Sequence, residues 1–314
     1  MAGAFIISRG AKTHVDVVVC EVTDGVNFGR GEGTAIYYEG ETAEGCAEAI
    51  SAYSGPFDRM ALLDQMPRGA ARNALDCALW DLEAKAKSKP VWQLAGLEAP
   101  VPLHTAFTIS LNDPAKMQAD AEAAVARGFS LLKSKLTGEC DLERMAAVRA
   151  GAPSARLIVD ANESWTGMDI AAQAAALAKL GVELIEQPVV HGQESMLEGV
   201  RSSVPLCADE SCHTRADLDR LGRFDAVNIK LDKAGGLTEA LALAQEAKAR
   251  GFRIMTGCML GTSLGIAPAF LVGQMADWVD LDGALLLAED RDGALPMRDG
   301  MLLPGSLWGQ GLAG

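Results

Sequence analysis

The chain is poor in basic and aromatic side chains. Its 314 residues include 28 Lys and Arg against 42 Asp and Glu, which gives a formal net charge of −14 at pH 7. Nucleic acids and anionic membranes attract basic surfaces, so this balance argues against both as partners. Aromatic residues make up only 5% of the chain although 49% is hydrophobic. We therefore expect a large core that is built mostly from Ala, Leu, Val and Ile.

The sequence also lacks CxxC motifs and, in its first ten residues, the pattern of a signal peptide. The seven cysteines form no CxxC pair and their number is odd, which favours reduced thiols in a cytoplasmic protein over a disulfide framework. Residues 1–10 do not follow the basic-then-apolar order of a signal peptide. The longest uncharged run, residues 254–276, is interrupted by Gly, Thr, Ser and Pro. These residues favour a strand, a loop and a buried helix over a membrane span.

Short apolar strands alternate with amphipathic helices from about residue 102 to residue 281. This order predicts a parallel sheet, and the number of strand–helix units predicts that the sheet closes into a (β/α) barrel. An open doubly wound sheet is the alternative, but no GxGxxG motif follows a strand to support dinucleotide binding. The first hundred residues instead predict an antiparallel hairpin or meander at residues 15–33, followed by helices at 42–52 and 67–88.

A charged or polar group lies at the carboxyl end of most predicted barrel strands. These groups are Lys135, Asp160, Glu186, Asp209, Lys233, Thr256 and Asp280. They are spaced by 23 to 26 residues, so each occurs at the same phase of successive βα units. Because the carboxyl ends of barrel strands face one mouth, where active sites lie, we expect a single pocket to hold them.

Three of these groups, Asp160, Glu186 and Asp209, are predicted metal ligands. Carboxylates that are crowded into one pocket repel each other unless a cation neutralises them. A set of oxygen ligands without His or Cys is typical of a hard ion, so the predicted cofactor is Mg²⁺ rather than Zn²⁺. The alternative is that each carboxylate caps a strand end or pairs with a lysine.

Lys135 and Lys233 are predicted to be acid/base groups on opposite sides of a substrate. A carboxylate bound to Mg²⁺ is an electron sink, which stabilises the enediolate formed when the neighbouring carbon loses its proton. Desolvation and a nearby cation lower the pKa of a lysine, and Lys133 lies on the same side of the strand as Lys135. Two such bases would invert the configuration of the carbon. A solvated surface charge is the alternative for Lys133.

Asp280 and Asp282 are predicted to face the same mouth, because they lie two residues apart at the end of the eighth strand. Two carboxylates that the metal does not need would suit a cationic group of the substrate, such as an α-ammonium. The alternative is turn chemistry at the strand end, before Gly283.

Several segments together carry the motifs of a known family. They are ARNALDCALWDLEAKAKSKPVWQLAG (residues 71–96), KSK (133–135), VDANESW (159–165), IEQPV (185–189), ADES (208–211) and NIKLDKAGG (228–236). Together they resemble the enolase superfamily, muconate-lactonizing subgroup, and within it the dipeptide epimerases. The resemblance implies a modified (β/α) barrel, residues 101–285, with an α+β capping domain formed from both chain ends. Residues 1–100 and 286–314 would form that domain, and a loop near Asn27 would cover the substrate.

The similarity to dipeptide epimerases depends on fewer residues. The pair Asp280 and Asp282 is similar to the epimerase feature that binds the free amino group of a dipeptide. Arg9 lies in SRGAKT, which resembles a segment whose arginine contacts the acidic side of the substrate, and Thr108 lies in TIS, which matches an epimerase strand. Lys133 completes the substrate-binding residues that we predict. The implied reaction is epimerisation of L-Ala-L-Glu and L-Ala-D-Glu, which belongs to murein peptide recycling.

Other functions stay open at this point. N-acyl amino acid racemisation, muconate cycloisomerisation and o-succinylbenzoate synthesis use the same scaffold, but their substrates have no ammonium for Asp280 and Asp282. A binding protein without activity is a further alternative, although it has no need of two lysine bases. The segment after Glu32, GTAIYYEGET, departs from the family pattern, so the side-chain preference stays open. The oligomeric state is also open, with a homo-oligomer as one alternative.

Overall fold

The N-terminal part of the chain forms antiparallel strand pairs and helices. The computed structural model describes residues 5–7 and 10–312, and the side chains of residues 13–312. Strand β1 (Phe5–Ile7) pairs with β2 (Gly10–Lys12), and β3 (Val18–Thr23) pairs with β4 (Phe28–Gly33). The helices that follow are α1 (Ala43–Ala52), α2 (Arg59–Gln65), α3 (Ala70–Lys87) and α4 (Val91–Leu94). The predicted hairpin and helices are confirmed.

Strand β4 lies against α3 with almost no space between the two backbones. A Cβ atom added to Gly29 would lie 2.1 Å from the carbonyl oxygen of Ala78, and one added to Gly31 would lie 2.1 Å from that of Ala74. The glycines of the FGRGEG segment therefore allow a strand and a helix to approach more closely than side chains permit.

In the described part of the chain, parallel strands in sequential order form the barrel. After β5 (Leu103–His104), the barrel strands are β6 (Phe107–Ile109), β7 (Leu131–Lys135), β8 (Arg156–Asp160), β9 (Val182–Glu186), β10 (Leu206–Ala208), β11 (Ala226–Ile229), β12 (Arg253–Gly257) and β13 (Trp278–Asp280). The backbone N–H of Ala106 donates to Val279 O at 2.7 Å, which joins the first strand to the last. The predicted barrel is confirmed, and an open sheet is not observed.

Helices lie between the barrel strands and pack their apolar faces on the outside of the sheet. They are α5 (Pro114–Ala126), α6 (Asp141–Gly151), α7 (Ile170–Lys179), α8 (Leu231–Ala234), α9 (Leu237–Ala249) and α10 (Ser263–Gly273). The uncharged run at residues 254–276 forms β12, a loop and α10, as predicted. Across residues 5–7 and 10–312, the structure contains no helix with the length and apolar character that a membrane span needs.

The C-terminal residues return to the N-terminal part of the chain. Strands β14 (Met297–Arg298) and β15 (Met301–Leu302) form a small sheet with β5. Further along, Trp308 Nε1 donates to Arg30 O at 3.0 Å, and the N–H of Gly309 donates to Asp81 Oδ1 at 2.8 Å. A cap formed from both chain ends is therefore confirmed, whereas the residue boundaries that we gave for cap and barrel remain a prediction.

The barrel strands place apolar residues deep inside and, at all but one strand, polar residues two positions later, at the mouth. The deep layer consists of Ala106, Leu131, Ile158, Leu184, Cys207, Ala226, Met255 and Trp278. Two residues further along in each strand, the sequence has Thr108, Lys133, Asp160, Glu186, Asp209, Asn228, Gly257 and Asp280. Because side chains on one face of a strand recur every two residues, the inner face of each strand runs from an apolar residue in the core to a residue at the mouth.

Candidate active site at the barrel mouth

Three buried carboxylates meet at the ends of neighbouring strands. Asp160 ends β8, Glu186 ends β9 and Asp209 follows β10, and one carboxylate oxygen from each lies within 4.8 Å of the others. Oε2 of Glu186 lies 2.5 Å from Lys133 Nζ, and Oδ1 of Asp209 lies 2.6 Å from Lys233 Nζ. A buried set of oxygen-only donors fits a hard cation, and the structure brings together the three residues that we predicted as metal ligands.

Neighbouring charges set very different pKa values for these carboxylates. Burial and, after it, the charge of Asp160 raise the pKa of Glu186 to about 8. Burial also acts on Asp160, but Lys135 and Lys133 outweigh it and bring its pKa down to about 2. A proton on Glu186 near neutral pH relieves the repulsion in the cluster, and a bound cation would compete with that proton.

Lys133 and Lys135 extend from β7 into the same charged cluster. Lys133 Nζ lies 2.5 Å from Glu186 Oε2 and 2.7 Å from Asp280 Oδ2, and the residue is only 1% exposed. Lys135 Nζ donates to Asp160 Oδ2 at 2.7 Å, and its side chain lines the cavity at the mouth. Lys133 is therefore a buried positive charge between Glu186 and Asp280. The alternative that it is a solvated surface charge is excluded.

The structure places Lys233 outside the cavity. Its ammonium group donates to Cys212 O at 2.8 Å, to Asn228 O at 3.0 Å and to the backbone oxygen of Asp209, and it is 0% exposed. These bonds use its donors to hold the ends of β10 and β11 together. Lys233 therefore does not lie where a second base would meet a substrate, in contrast to our prediction.

Lys230 lies where Lys233 was expected. Its Nζ donates to Asp209 Oδ2 at 2.6 Å, and its side chain lines the cavity on the opposite side of the acidic cluster from Lys135. Strand alternation from Ala226 reaches the mouth at Lys230, and the helical turn α8 begins directly afterwards. Sequence reasoning missed this lysine because it matched Lys233 to the strand spacing, although Lys233 already lies in a helix.

Burial lowers the pKa of Lys230, but Asp209 and Glu186 outweigh burial and hold it well above its usual value. The carboxylates that raise this pKa are the proposed metal ligands. A cation on them would remove much of the negative charge that Lys230 faces.

Asp280, Asp282 and Thr108 lie together on the opposite wall of the cavity. Burial and, after it, the charge of Asp280 raise the pKa of Asp282 to about 7, and Asp282 Oδ2 accepts the N–H of Thr108 at 2.7 Å. Oδ1 of Asp280 is buried and accepts no hydrogen bond from any described residue. These three residues were predicted to bind substrate and all line the cavity, and the unused oxygen of Asp280 suits a donor from a ligand.

Arg9, the remaining predicted substrate-binding residue, lies outside the described residues. Asn27 is not among the residues that line the cavity, and its side chain donates to Asp24 Oδ2 at 3.1 Å in the β3–β4 turn. The cap instead lines the cavity with the segment after β4. This segment contributes Thr34, Ala35, Tyr37 and Tyr38.

Both parts of the chain match the same protein family. Residues 2–96 match "Mandelate racemase / muconate lactonizing enzyme, N-terminal domain" and residues 116–313 match "Enolase C-terminal domain-like". The chain belongs to the enolase superfamily. The resemblance predicted from the motifs is therefore confirmed, and the matches cover both the cap and the barrel of this superfamily member.

Similar proteins place this enolase superfamily member near the dipeptide epimerases. It is 44% identical over 303 residues to the L-Ala-D/L-Glu epimerase of Escherichia coli K12, covering 95% of this chain and 94% of that protein. It is 46% identical over 252 residues, 79% of each chain, to an N-acetyl-D-glutamate racemase of a Pseudoalteromonas species.

A solved structure from Agrobacterium tumefaciens is also very similar. It is an enolase family member with homology to dipeptide epimerases, solved with bound sodium and L-Ala-L-Glu. The two chains superpose with a TM-score of 0.93 at 48% identity, covering 98% of this chain and 96% of the other.

Proposed function

We propose that this protein is an isomerase that epimerises a dipeptide, with L-Ala-L-Glu and L-Ala-D-Glu as its substrates. The observation that carries the proposal is the arrangement of Lys135 and Lys230 on either side of a buried acidic cluster, with Asp280 on the facing wall. Such a site can remove a proton from one face of an α-carbon and return one to the other face. The names of the similar proteins support the same chemistry.

Asp160, Glu186 and Asp209 would hold the cofactor, which we propose to be Mg²⁺. Their oxygen-only donor set supports a hard divalent ion over a transition metal. When bound, the ion supplies positive charge beside the carboxylate of the substrate, which makes the adjacent α-proton more acidic. Lys133 adds a second, fixed positive charge between this cluster and Asp280.

We propose Lys135 and Lys230, rather than Lys233, as the acid/base pair. Each has its ammonium group beside an end member of the acidic cluster, Lys135 at Asp160 and Lys230 at Asp209. The lysine on one face takes the α-proton, and the lysine on the other face, in its charged form, donates one. The two lysines exchange these roles for the opposite epimer.

Asp280 and Asp282 would bind the α-ammonium group of the dipeptide. Both carboxylates are buried and line the cavity, and a buried carboxylate that meets a cation gains a charge-assisted hydrogen bond. A second candidate is racemisation of an N-acyl glutamate, which the similarity to the N-acetyl-D-glutamate racemase favours. That substrate has no ammonium group, so the two candidates differ in what they require of Asp280.

Solvent exchange at the α-carbon tests the proposal directly. We would incubate the wild-type protein with Mg²⁺ in D₂O and follow the α-proton of the glutamate in L-Ala-L-Glu by NMR, with N-acetyl-glutamate in a parallel reaction. We expect loss of the α-proton signal and appearance of the L-Ala-D-Glu signals. Exchange of N-acetyl-glutamate alone would favour the second candidate, and exchange of neither substrate would contradict both.

We further propose that the protein acts in the cytoplasm on a small-molecule substrate, in murein peptide recycling. Support comes from the odd number of cysteines, all free in the structure, and from the names of the similar epimerases. A gene deletion that causes murein dipeptides to accumulate would support the cellular role.

We also propose that the chain divides into a cap, residues 1–100 and 286–314, and a barrel, residues 101–285.

A further inference from the structure

The short turn after β11 sends charged side chains in three directions. Lys230 reaches into the cavity to Asp209 Oδ2, and Lys233 points back to backbone carbonyls of the barrel. Asp232, between them, points to the cap, where its Oδ1 accepts the N–H of Thr34 at 2.9 Å. The contacts that hold this turn in place therefore also set the position of Lys230 relative to a substrate.

The cap helix α3 binds this turn through its polar side chains. Asn73 Nδ2 donates to Asp232 Oδ1 at 2.8 Å. The guanidinium group of Arg72 donates to Ala234 O at 2.7 Å and to Gly235 O at 2.9 Å. These carbonyl groups end the turn α8, so Arg72 satisfies acceptors that the turn itself leaves unpaired.

The same face of α3 continues to the start of α9. Asp76 accepts from the N–H of Thr238 at 3.0 Å and from its hydroxyl group at 2.6 Å, and Trp80 Nε1 donates to that hydroxyl oxygen at 2.9 Å. Positions 72, 73, 76 and 80 share one face of a helix. Buried polar groups are costly unless they are bonded, so this contact tolerates little displacement between α3 and the turn.

We infer that Asp232 is a positioning residue, whose contacts with the cap fix where Lys230 lies in the cavity. One carboxylate oxygen of Asp232 accepts both from Thr34, which lines the cavity, and from Asn73 of α3. Asp232 does not line the cavity, so it acts on Lys230, two residues earlier, through the intervening backbone. The inference rests on the proposed two-lysine function, since it assigns Asp232 to one of the two bases.

An asymmetric loss of exchange distinguishes positioning from stability. In a two-base site each lysine removes the proton of one epimer, so displacing Lys230 slows exchange for that epimer and spares the other. We expect Asp232→Leu to shift the ratio of deuterium exchange rates of L-Ala-L-Glu and L-Ala-D-Glu by about 10- to 100-fold. The ratio of exchange rates should shift in the same direction as it does in Lys230→Met. Asn73→Leu, which acts from the cap side, should shift the ratio the same way.

Conservative and distant variants provide the controls. Asp232→Asn keeps an oxygen acceptor and should retain the wild-type ratio, and Asp225→Leu, at the opposite end of β11, should leave the ratio unchanged. Equal slowing of both epimers by Asp232→Leu and by Asn73→Leu would overturn the inference, because a merely destabilised protein behaves in that way.

A measurement without substrate separates this inference from the proposed function. Amide hydrogen exchange should become faster at residues 229–236 and 34–38 in Asp232→Leu and stay at the wild-type rate in Asp225→Leu. Unchanged protection of both segments would overturn the inference. Absence of α-proton exchange in the wild-type protein would instead contradict the proposed function.

Discussion

At the scale of single residues, the partners of each lysine determine what it can do. Lys230 and Lys233 are three positions apart and both lie beside Asp209, at 2.6 Å in each case. Lys233 is additionally bound by backbone carbonyl groups and is 0% exposed, whereas Lys230 borders the cavity. A base must reach a substrate, so this geometry supports Lys230 as the proposed base, whereas the contacts of Lys233 are typical of a structural residue.

Substitution of these two lysines should separate activity from stability. Lys233→Met removes one partner of a buried charge and should lower the free energy of unfolding by about 3–5 kcal/mol. Lys230→Met should unfold closer to wild type but lose roughly 10²–10⁴-fold in turnover. Urea unfolding and exchange assays on both variants check this. The assignment is wrong if Lys233→Met folds well and is inactive while Lys230→Met is active.

Asp280→Asn should weaken binding of a substrate with a free amino group. Loss of one charged hydrogen bond to the ammonium group predicts a KM for L-Ala-L-Glu that is roughly 10- to 150-fold higher, with a smaller change in kcat. Steady-state kinetics measure both. Asp277→Asn, at the other end of β13, is the matched control and should keep the wild-type KM. An unchanged KM in Asp280→Asn would argue against an ammonium site.

The sequence predicted most of the charged residues at the mouth, because strand alternation and regular βα spacing place them at the same phase. Asp160, Glu186 and Asp209 each follow an apolar residue of the deep layer by two positions. The second lysine was missed because the chain changes from strand to helix at residue 231, where the period changes from two to 3.6. The contacts of Tyr37 and Tyr38 with the cavity could not be predicted, since they depend on how the cap docks.

At the scale of elements, the close contact between β4 and α3 fixes the start of the cap segment that lines the cavity. The glycines of β4 let the strand lie on α3, and the next residues, from Thr34 to Tyr38, reach the mouth. The sequence predicted the hairpin from its β-rich run and its turn. It did not predict the packing partner, because glycine-rich strands carry little information about the surface that they approach.

Gly31→Ala should destabilise the cap. The added methyl group would lie 2.1 Å from Ala74 O, a backbone atom that cannot move without shifting α3. Overpacking of this kind costs about 1–3 kcal/mol, which denaturant unfolding would detect. Gly222→Ala is the matched control, because a Cβ there meets no atom within 4 Å. A Gly31→Ala protein as stable as Gly222→Ala would contradict the packing argument.

At the scale of the whole molecule, the cap and the barrel complete one site between them. The barrel supplies the acidic cluster and the lysines, and the cap supplies a wall of the cavity and the polar face of α3 that binds the Lys230 turn. Alternating strands and helices predicted the barrel, and the family resemblance predicted the cap. The position of the cap relative to the barrel depends on contacts between residues more than 150 positions apart, such as Asn73 with Asp232. Local sequence patterns do not encode such contacts.

A divalent cation should stabilise the folded protein, because it binds a cluster that forms only on folding. At a Mg²⁺ concentration of 100 times its Kd, linkage predicts about 2.7 kcal/mol of added stability. Thermal unfolding with Mg²⁺ and with a chelator measures this effect. Glu186→Gln should lose most of the difference. Equal Tm values for the wild-type protein under the two conditions would contradict cation binding at this cluster.

Epimer-resolved deuterium exchange by Lys135→Met and Lys230→Met tests the two-lysine site most directly. With L-Ala-L-Glu and L-Ala-D-Glu assayed separately in D₂O, each variant should still exchange the α-proton of one epimer and fail on the other. The two variants should fail on opposite epimers, and neither should interconvert them. Loss of exchange of the same epimer in both variants, or epimerisation near the wild-type rate in Lys230→Met, would contradict a base on each face of the substrate.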